Sequence, residues 1–159
     1  MNVRAVCLAA AALALALSAL SATAAGGKGV TWRKASHANG VDKIGCFNPE
    51  CDAYQGETVC SARLPVLCLK QDGSPSPVPT DFYNGWAKGN IALSRAVRGD
   101  SFKSRAEADA FCRAEFGQGY RVGEHHDGGG GWGWQAYGNI DDTTRFWVTV
   151  DGQPSSCWN

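Results

Sequence analysis

The sequence predicts a small α+β domain stapled by disulfides, with one main helix packed on a short antiparallel sheet and long glycine-rich loops between them. Three observations carry this. One segment, Ser104 to Gly117, combines helical spacing with a start and a stop signal. Short apolar or alternating runs at Leu64–Leu69, Ile91–Leu93 and Arg145–Val150 have the length and composition of strands. Six cysteines follow an apolar amino-terminal segment, in a chain that is otherwise rich in glycine.

The first segment reads as a secretory signal peptide. Met1 to Arg4 is a short basic region, Ala5 to Leu20 is an Ala- and Leu-dominated run, and Ser21-Ala22-Thr23-Ala24-Ala25 supplies small residues for cleavage. A membrane anchor would need about 20 strongly apolar residues, more than this run provides. Cys7 leaves with the leader, so Cys46, Cys51, Cys60, Cys68, Cys112 and Cys157 remain. An even number in an exported chain points to three disulfides, whose pairing the spacing leaves open. None of the spacings is the tight Cys-x-x-Cys that structural zinc takes.

Gly26 to Gly45 is polar and without pattern, and is expected as a loosely held arm with His37 in solvent. In Cys46 to Cys68, Asn48-Pro49 and Gln55-Gly56 mark turns, and a strand is expected to begin at or after Pro65. Alternating prolines at Pro75, Pro77 and Pro79 favour extended backbone, as a long surface loop or a stiff linker. Ser104-Arg105-Ala106-Glu107 has the form of a capping box. Ala108, Phe111, Cys112 and Phe116 then line one helical face up to Gly117. Gly117 to Gly138 holds nine glycines in 22 residues beside Tyr120, Trp132, Trp134 and Tyr137, so aromatics and neighbouring elements must order it. In the last run Phe146, Val148 and Val150 share a strand face, closed by Asp151-Gly152.

The charge balance excludes function by bulk attraction. Lys and Arg number 15 against 15 Asp and Glu, so a nucleic-acid partner is not expected. No Gly-x-Ser-x-Gly surrounds any serine, no glycine phosphate cradle stands between a strand and a helix, and the cysteines are committed to disulfides. Adjacent Asp141-Asp142 reads as a solvated turn, because a glycosidase needs its two carboxyls several ångströms apart.

The helix with Ala108 and Cys112, the step Gly117-Gln118-Gly119-Tyr120-Arg121-Val122, the Trp-rich loop, the Phe146-Trp147-Val148 strand and the terminal Cys157 resemble the C-type-lectin-like fold. The likeness is to the reduced versions of bacterial exported proteins. It covers about Phe82 to Asn159 and implies a disulfide between Cys112 and Cys157. Calcium-dependent members carry an acidic or amide Pro loop and a Trp-Asn-Asp strand. Here Gln153-Pro154-Ser155 lacks the acid and Trp158-Asn159 ends the chain, so no calcium site carries over. The organisation expected is a signal peptide (1–25), a flexible arm (26–45), a cysteine-rich strand module (46–71), a proline-rich loop or linker (72–80) and a lectin-like domain (81–159).

Two groups of residues could carry chemistry. Glu124-His125-His126-Asp127 concentrates imidazole and carboxylate. On an extended backbone His125 and Asp127 share one face and Glu124 and His126 the other, each pair able to seat zinc or act as an acid–base couple. The plainer reading is that these side chains bond the loop backbone and hold its shape. Trp132, Trp134, Tyr137 and Trp158 could stack on a ligand; equally, Trp132 or Trp134 fills the core of a domain short of aliphatics.

The leading expectation is an exported, secreted or periplasmic binding module without calcium or other cofactor. It would recognise a glycan or envelope component through Trp132, Trp134, Tyr137, His125, His126 and Asp127, with no membrane span once the leader is removed. The alternatives are a small exported hydrolase using Glu124 to Asp127, with or without zinc, and an envelope protein partner or inhibitor touching its target through Cys46 to Cys68.

Overall fold

The computed structural model describes residues 27–158, so the leader read at 1–25, with Cys7, lies outside the described residues. The chain opens with β1 (Lys28–Gly29), β2 (Thr31–Ala38) and β3 (Val41–Gly45). The expected loose arm is therefore a hairpin. Asn39 and Gly40 both take positive φ, 53° and 75°, the geometry that lets a two-residue turn join twisted strands. Val30, Trp32, Val41 and Ile44 bury their side chains along it. That burial is what holds a segment of otherwise polar composition.

Next come β4 (Thr58–Val59), β5 (Arg63–Leu64), β6 (Leu67–Gln71), β7 (Gly85–Leu93) and β8 (Val97–Arg98). They are followed by a 3-10 turn at Gly99–Ser101, α1 (Arg105–Phe116), β9 (Tyr120–Val122), β10 (Gly133–Tyr137) and β11 (Phe146–Trp147). Seven strands form one curled sheet in the order β11-β2-β3-β10-β7-β6-β9. The fold is thus α+β, but the sheet is mixed rather than antiparallel, because β10 runs parallel to β7. The β1–β4 and β5–β8 pairs stand beside it.

The sheet also crosses the boundaries read from composition between the arm, the cysteine-rich module and the carboxyl-terminal domain. β10, from the segment expected to form its own domain, pairs with β3 of the supposed arm, and β6 pairs with both β7 and β9. Residues 72–80 are accordingly a surface loop between the paired strands β6 and β7, not a linker. Trp86 Nε1 donates to Ser74 O at 2.7 Å, which ties that loop to the outer face of the sheet.

The helix matches its local signals. Ser104 Oγ accepts from Glu107 N at 3.3 Å, while Glu107 Oε2 reaches Lys103 N at 2.9 Å, one residue before the cap. Gly117 stops the helix at φ 95°. Ala108 and Cys112 face inward, onto a cluster formed with Val66, Val122, Trp147 and Trp158. A second cluster, around Trp32, Ile44, Leu67, Leu69, Trp134, Phe146 and Val148, fills the rest of the interior. The final strand is shorter than its alternation predicts. Only Phe146–Trp147 pair regularly with β2, and Trp147 and Thr149 are as buried as Phe146 and Val148 because both clusters close around this segment.

The disulfides join Cys46 to Cys51, Cys60 to Cys157 and Cys68 to Cys112. The pairing of Cys112 with Cys157 implied by the resemblance is not made. Cys68 of β6 and Cys112 of α1 share one buried cluster and bond there, and the chain end turns instead to Cys60. Glycine makes room there: a Cβ on Gly29 would stand 2.5 Å from Cys157 Sγ, and one on Gly99 2.7 Å from the same atom. Three disulfides fit an oxidising, extracytoplasmic setting. Among the described residues no helix is long and apolar enough to cross a membrane.

Candidate functional site

After β9 the chain enters a turn rather than an extended strand, and this turn builds the floor of the site. Glu124 is buried. Its Oε1 accepts from Asp151 N at 2.9 Å, its Oε2 from His126 N at 2.6 Å, and Oε1 also meets His126 Nδ1 at 2.9 Å. Asp127 turns back, taking the Glu124 N–H on Oδ2 at 2.7 Å and both ends of the Arg121 guanidinium. This ion pair, chiefly through its hydrogen bonds, raises the Arg121 pKa. The two carboxylates thus do what the plainer reading expects, bonding the backbone and shaping the loop. The expected sharing of a face by His125 and Asp127 does not occur, because the turn sends them apart, whereas Glu124 and His126 do meet.

His125 is packed edge-on against Trp32, at 5.4 Å between centroids, and against Trp132 at 5.9 Å. Its Nδ1 is buried without a hydrogen-bond partner among the described residues. Burial pushes its pKa below the usual imidazole value, with the neighbouring His126 acting in the same direction, against smaller opposing effects of Glu124 and the Gly131 backbone. Protonation would place a second N–H on that unpartnered nitrogen, so the neutral ring is the form that fits.

The glycines that follow are close-approach positions. A Cβ on Gly85 would fall 2.0 Å from Gly128 O, and one on Gly128 would fall 2.1 Å from Trp134 Cβ, so the loop backbone lies directly on β7 and on the Trp134 side chain. Gly129, Gly130 and Gly131 then take positive φ of 95°, 135° and 76°, which turns the chain so that Trp132 and Trp134 part company. Trp134 points into the core, its Nε1 donating to Glu124 O at 3.1 Å. Trp132 faces outward.

The result is a cleft of about 360 Å³ lined by aromatics, imidazoles and glycine backbone. Trp132 and Tyr54 line it with their rings edge-to-face at 6.1 Å, and Phe82 lines it over Gly130. His125 and His126 join them, with Ala53, Val150 and Gln153 completing the lining. Both outer tips are set by aspartate turns. Asp52 Oδ1 accepts from Tyr54 N and Gln55 N at 2.9 Å each, and Asp81 Oδ1 accepts from Tyr83 N at 2.7 Å and Asn84 N at 2.9 Å. The Asn84 side chain, then the Tyr83 amide, hold the Asp81 carboxyl below its ordinary pKa. Ser155 Oγ, donating to Ala53 O at 2.6 Å, ties the Tyr54 turn to the carboxyl-terminal segment.

Of the residues expected at the site, the fold brings His125, His126 and Trp132 to the cleft. It does not bring Trp134, which is core, nor Tyr137, whose ring packs edge-on against Trp86 at 5.0 Å away from the cleft lining. Asp127 acts behind it through Arg121, and Trp158 is buried against Phe102. Sequence reading missed Tyr54, Phe82 and Gln153. Asp52, two residues before Tyr54, and Asp81, next to Phe82, were the only local signal for the first two. Among the described residues no three metal-ligating side chains converge. No family model, no curated protein and no solved structure matches this chain.

Proposed function

We propose that the protein is an extracytoplasmic binding module, lectin-like in fold, that takes a glycan or other cell-surface ligand into this cleft without calcium. One observation carries the reading: Trp132, Tyr54 and Phe82 stand exposed around a concave site that also offers imidazole, phenol and amide groups. Such a set suits a ligand with apolar ring faces and polar edges. The lectin-like assignment rests on the helix and the Gly-Tyr-Arg-Val step that follows it; the cysteine pairing departs from that pattern. The test is a binding screen of the oxidised protein against glycans and cell-wall polymers, with and without a chelator. Binding that survives chelation and falls at least tenfold in Trp132→Ala supports the reading. Binding abolished by the chelator, or unchanged in that variant, refutes it.

A second reading is favoured by the Glu124–His126 pair. A buried carboxylate on Nδ1 holds the tautomer that leaves Nε2 as the free base at the cleft mouth, the arrangement a hydrolase needs to take a proton from water. Turnover of glycosides or glycan esters that disappears in His126→Ala would establish it; a sharp metal stoichiometry after dialysis would assign it to a metal-assisted reaction.

A further inference from the structure

The cleft is too small to account for all the aromatic surface gathered at its rim. Its volume of about 360 Å³ is near the lower end for small-molecule sites. Among the described residues the exposed aromatics are Trp132 at 41 %, Tyr54 at 56 %, Phe82 at 67 %, Tyr83 at 61 % and Phe47 at 43 %. Three of these five line the cleft. A fourth, Tyr83, stands edge-to-face with Phe82 at 5.1 Å but outside the lining. Only Phe47 belongs elsewhere, over Gly133 and beneath the Lys43 ammonium.

Aromatic surface left in water lowers no free energy in the unbound protein, and here its presentation is built in. The Asp81 turn holds Phe82 and Tyr83 just ahead of β7, and the Asp52 turn holds Tyr54. The charge pattern narrows the ligand further. Among the described residues no Asp, Glu, Lys or Arg lines the cleft, and the His126 ring already engages Glu124 through Nδ1, so a charged ligand would be desolvated there with no unspent ionic partner.

We infer that the ligand is an uncharged linear glycan of more than one ring, seated with one unit between Trp132, Tyr54 and Phe82 and the next laid along Tyr83. This rests on the binding reading above and adds to it chain length, neutrality and a second contact.

The test is calorimetric titration of the oxidised protein with β-1,4-linked glucose and N-acetylglucosamine oligomers of one, two and four units, and with a galacturonate tetramer. Wild-type, Tyr83→Ala and Phe47→Ala proteins are compared, each first checked by circular dichroism. The expected result is affinity that rises about tenfold from one unit to four in at least one neutral series. That rise should be lost in Tyr83→Ala and kept in Phe47→Ala. Affinity independent of length, a length gain that survives Tyr83→Ala, or preference for galacturonate overturns the inference and leaves the binding reading standing. No binding of any oligomer by the wild-type protein overturns the inference, and the chelator-paired screen then decides the binding reading by itself.

Discussion

The end of the molecule under α1 and the end at the glycine loop use the same residue types for opposite purposes. Under the helix, Trp147 and Trp158 are buried, the first donating through Nε1 to Val97 O at 3.3 Å and the second packed on Phe102. There the long-range bridges Cys60–Cys157 and Cys68–Cys112 close around them. At the glycine loop, Trp132 stands in solvent beside Tyr54 and Phe82, and the nearby bridge, Cys46–Cys51, spans five residues. The difference teaches that a tryptophan's role here follows from what lies next to it in space. Trp132 and Trp134 are two residues apart and fall on opposite sides of that divide.

The bridges give the largest way to sharpen the contrast. Counting only the loop closed in the unfolded chain, replacing Cys60 and Cys157 by alanine should cost about 4.7 kcal/mol and replacing Cys68 and Cys112 about 4, against about 2 for Cys46 and Cys51. Urea denaturation of the three double variants checks the order. A loss at Cys46–Cys51 as large as the other two would erase the distinction between a stapled core and a locally braced rim.

Next in size are the tryptophans themselves. Trp147→Ala should lose about 3–5 kcal/mol through the cavity it leaves, while Trp132→Ala should cost well under that and act on ligand binding instead. Denaturant midpoints measured beside the binding screen would decide. Between the two ends lies Asp42, buried, with Lys34 Nζ at 3.0 Å, His37 Nδ1 at 2.7 Å and the Ile140 amide donating at 2.7 Å. Asp42→Ala strands the Lys34 charge and should cost about 3–5 kcal/mol, whereas Asp42→Asn, which keeps an acceptor for Ile140, should cost less.

Smaller effects separate the ends by condition. Loss of the helix cap in Ser104→Ala should cost about 1 kcal/mol and leave ligand affinity untouched. His125 should make the cleft end acid-sensitive. Its folded pKa lies below its unfolded value, so the unfolded chain binds more protons as pH falls below about 6.5. Stability is therefore full above that point and declines on acidification toward the folded pKa. Melting temperatures across this range should fall less steeply in His125→Phe than in wild type; an unchanged slope would place the acid sensitivity elsewhere.

Much of the fold's local grammar was legible because its causes lie within a few residues. The Ser104 cap, the Gly117 stop and the inward face of Ala108 and Cys112 are interactions across one or two helical turns. Glu124 and Asp127 could be read as loop-shaping groups for the same reason. Asn39-Gly40 was an equally local hairpin signal, obscured because β2 beyond Trp32 is polar and largely exposed. The parallel β10–β7 pair was not legible, since a connection of 39 residues separates the paired Ala92–Leu93 end of β7 from β10 and no local pattern states which strand it will join.

By itself the sequence determined the capped helix at Ser104, the commitment of six cysteines to an oxidised fold, the even balance of charge and the place where imidazole and carboxylate concentrate. These depend on composition and on contacts a few residues long. The tertiary structure alone decided that Cys112 meets Cys68, that the segment before Cys46 belongs to the sheet, and that Tyr54 and Phe82 line one cleft with Trp132. Each of those outcomes joins residues tens of positions apart, and their choice of partner is made by burial of the shared core and by glycine backbones close enough to touch, neither of which leaves a periodic mark in the chain.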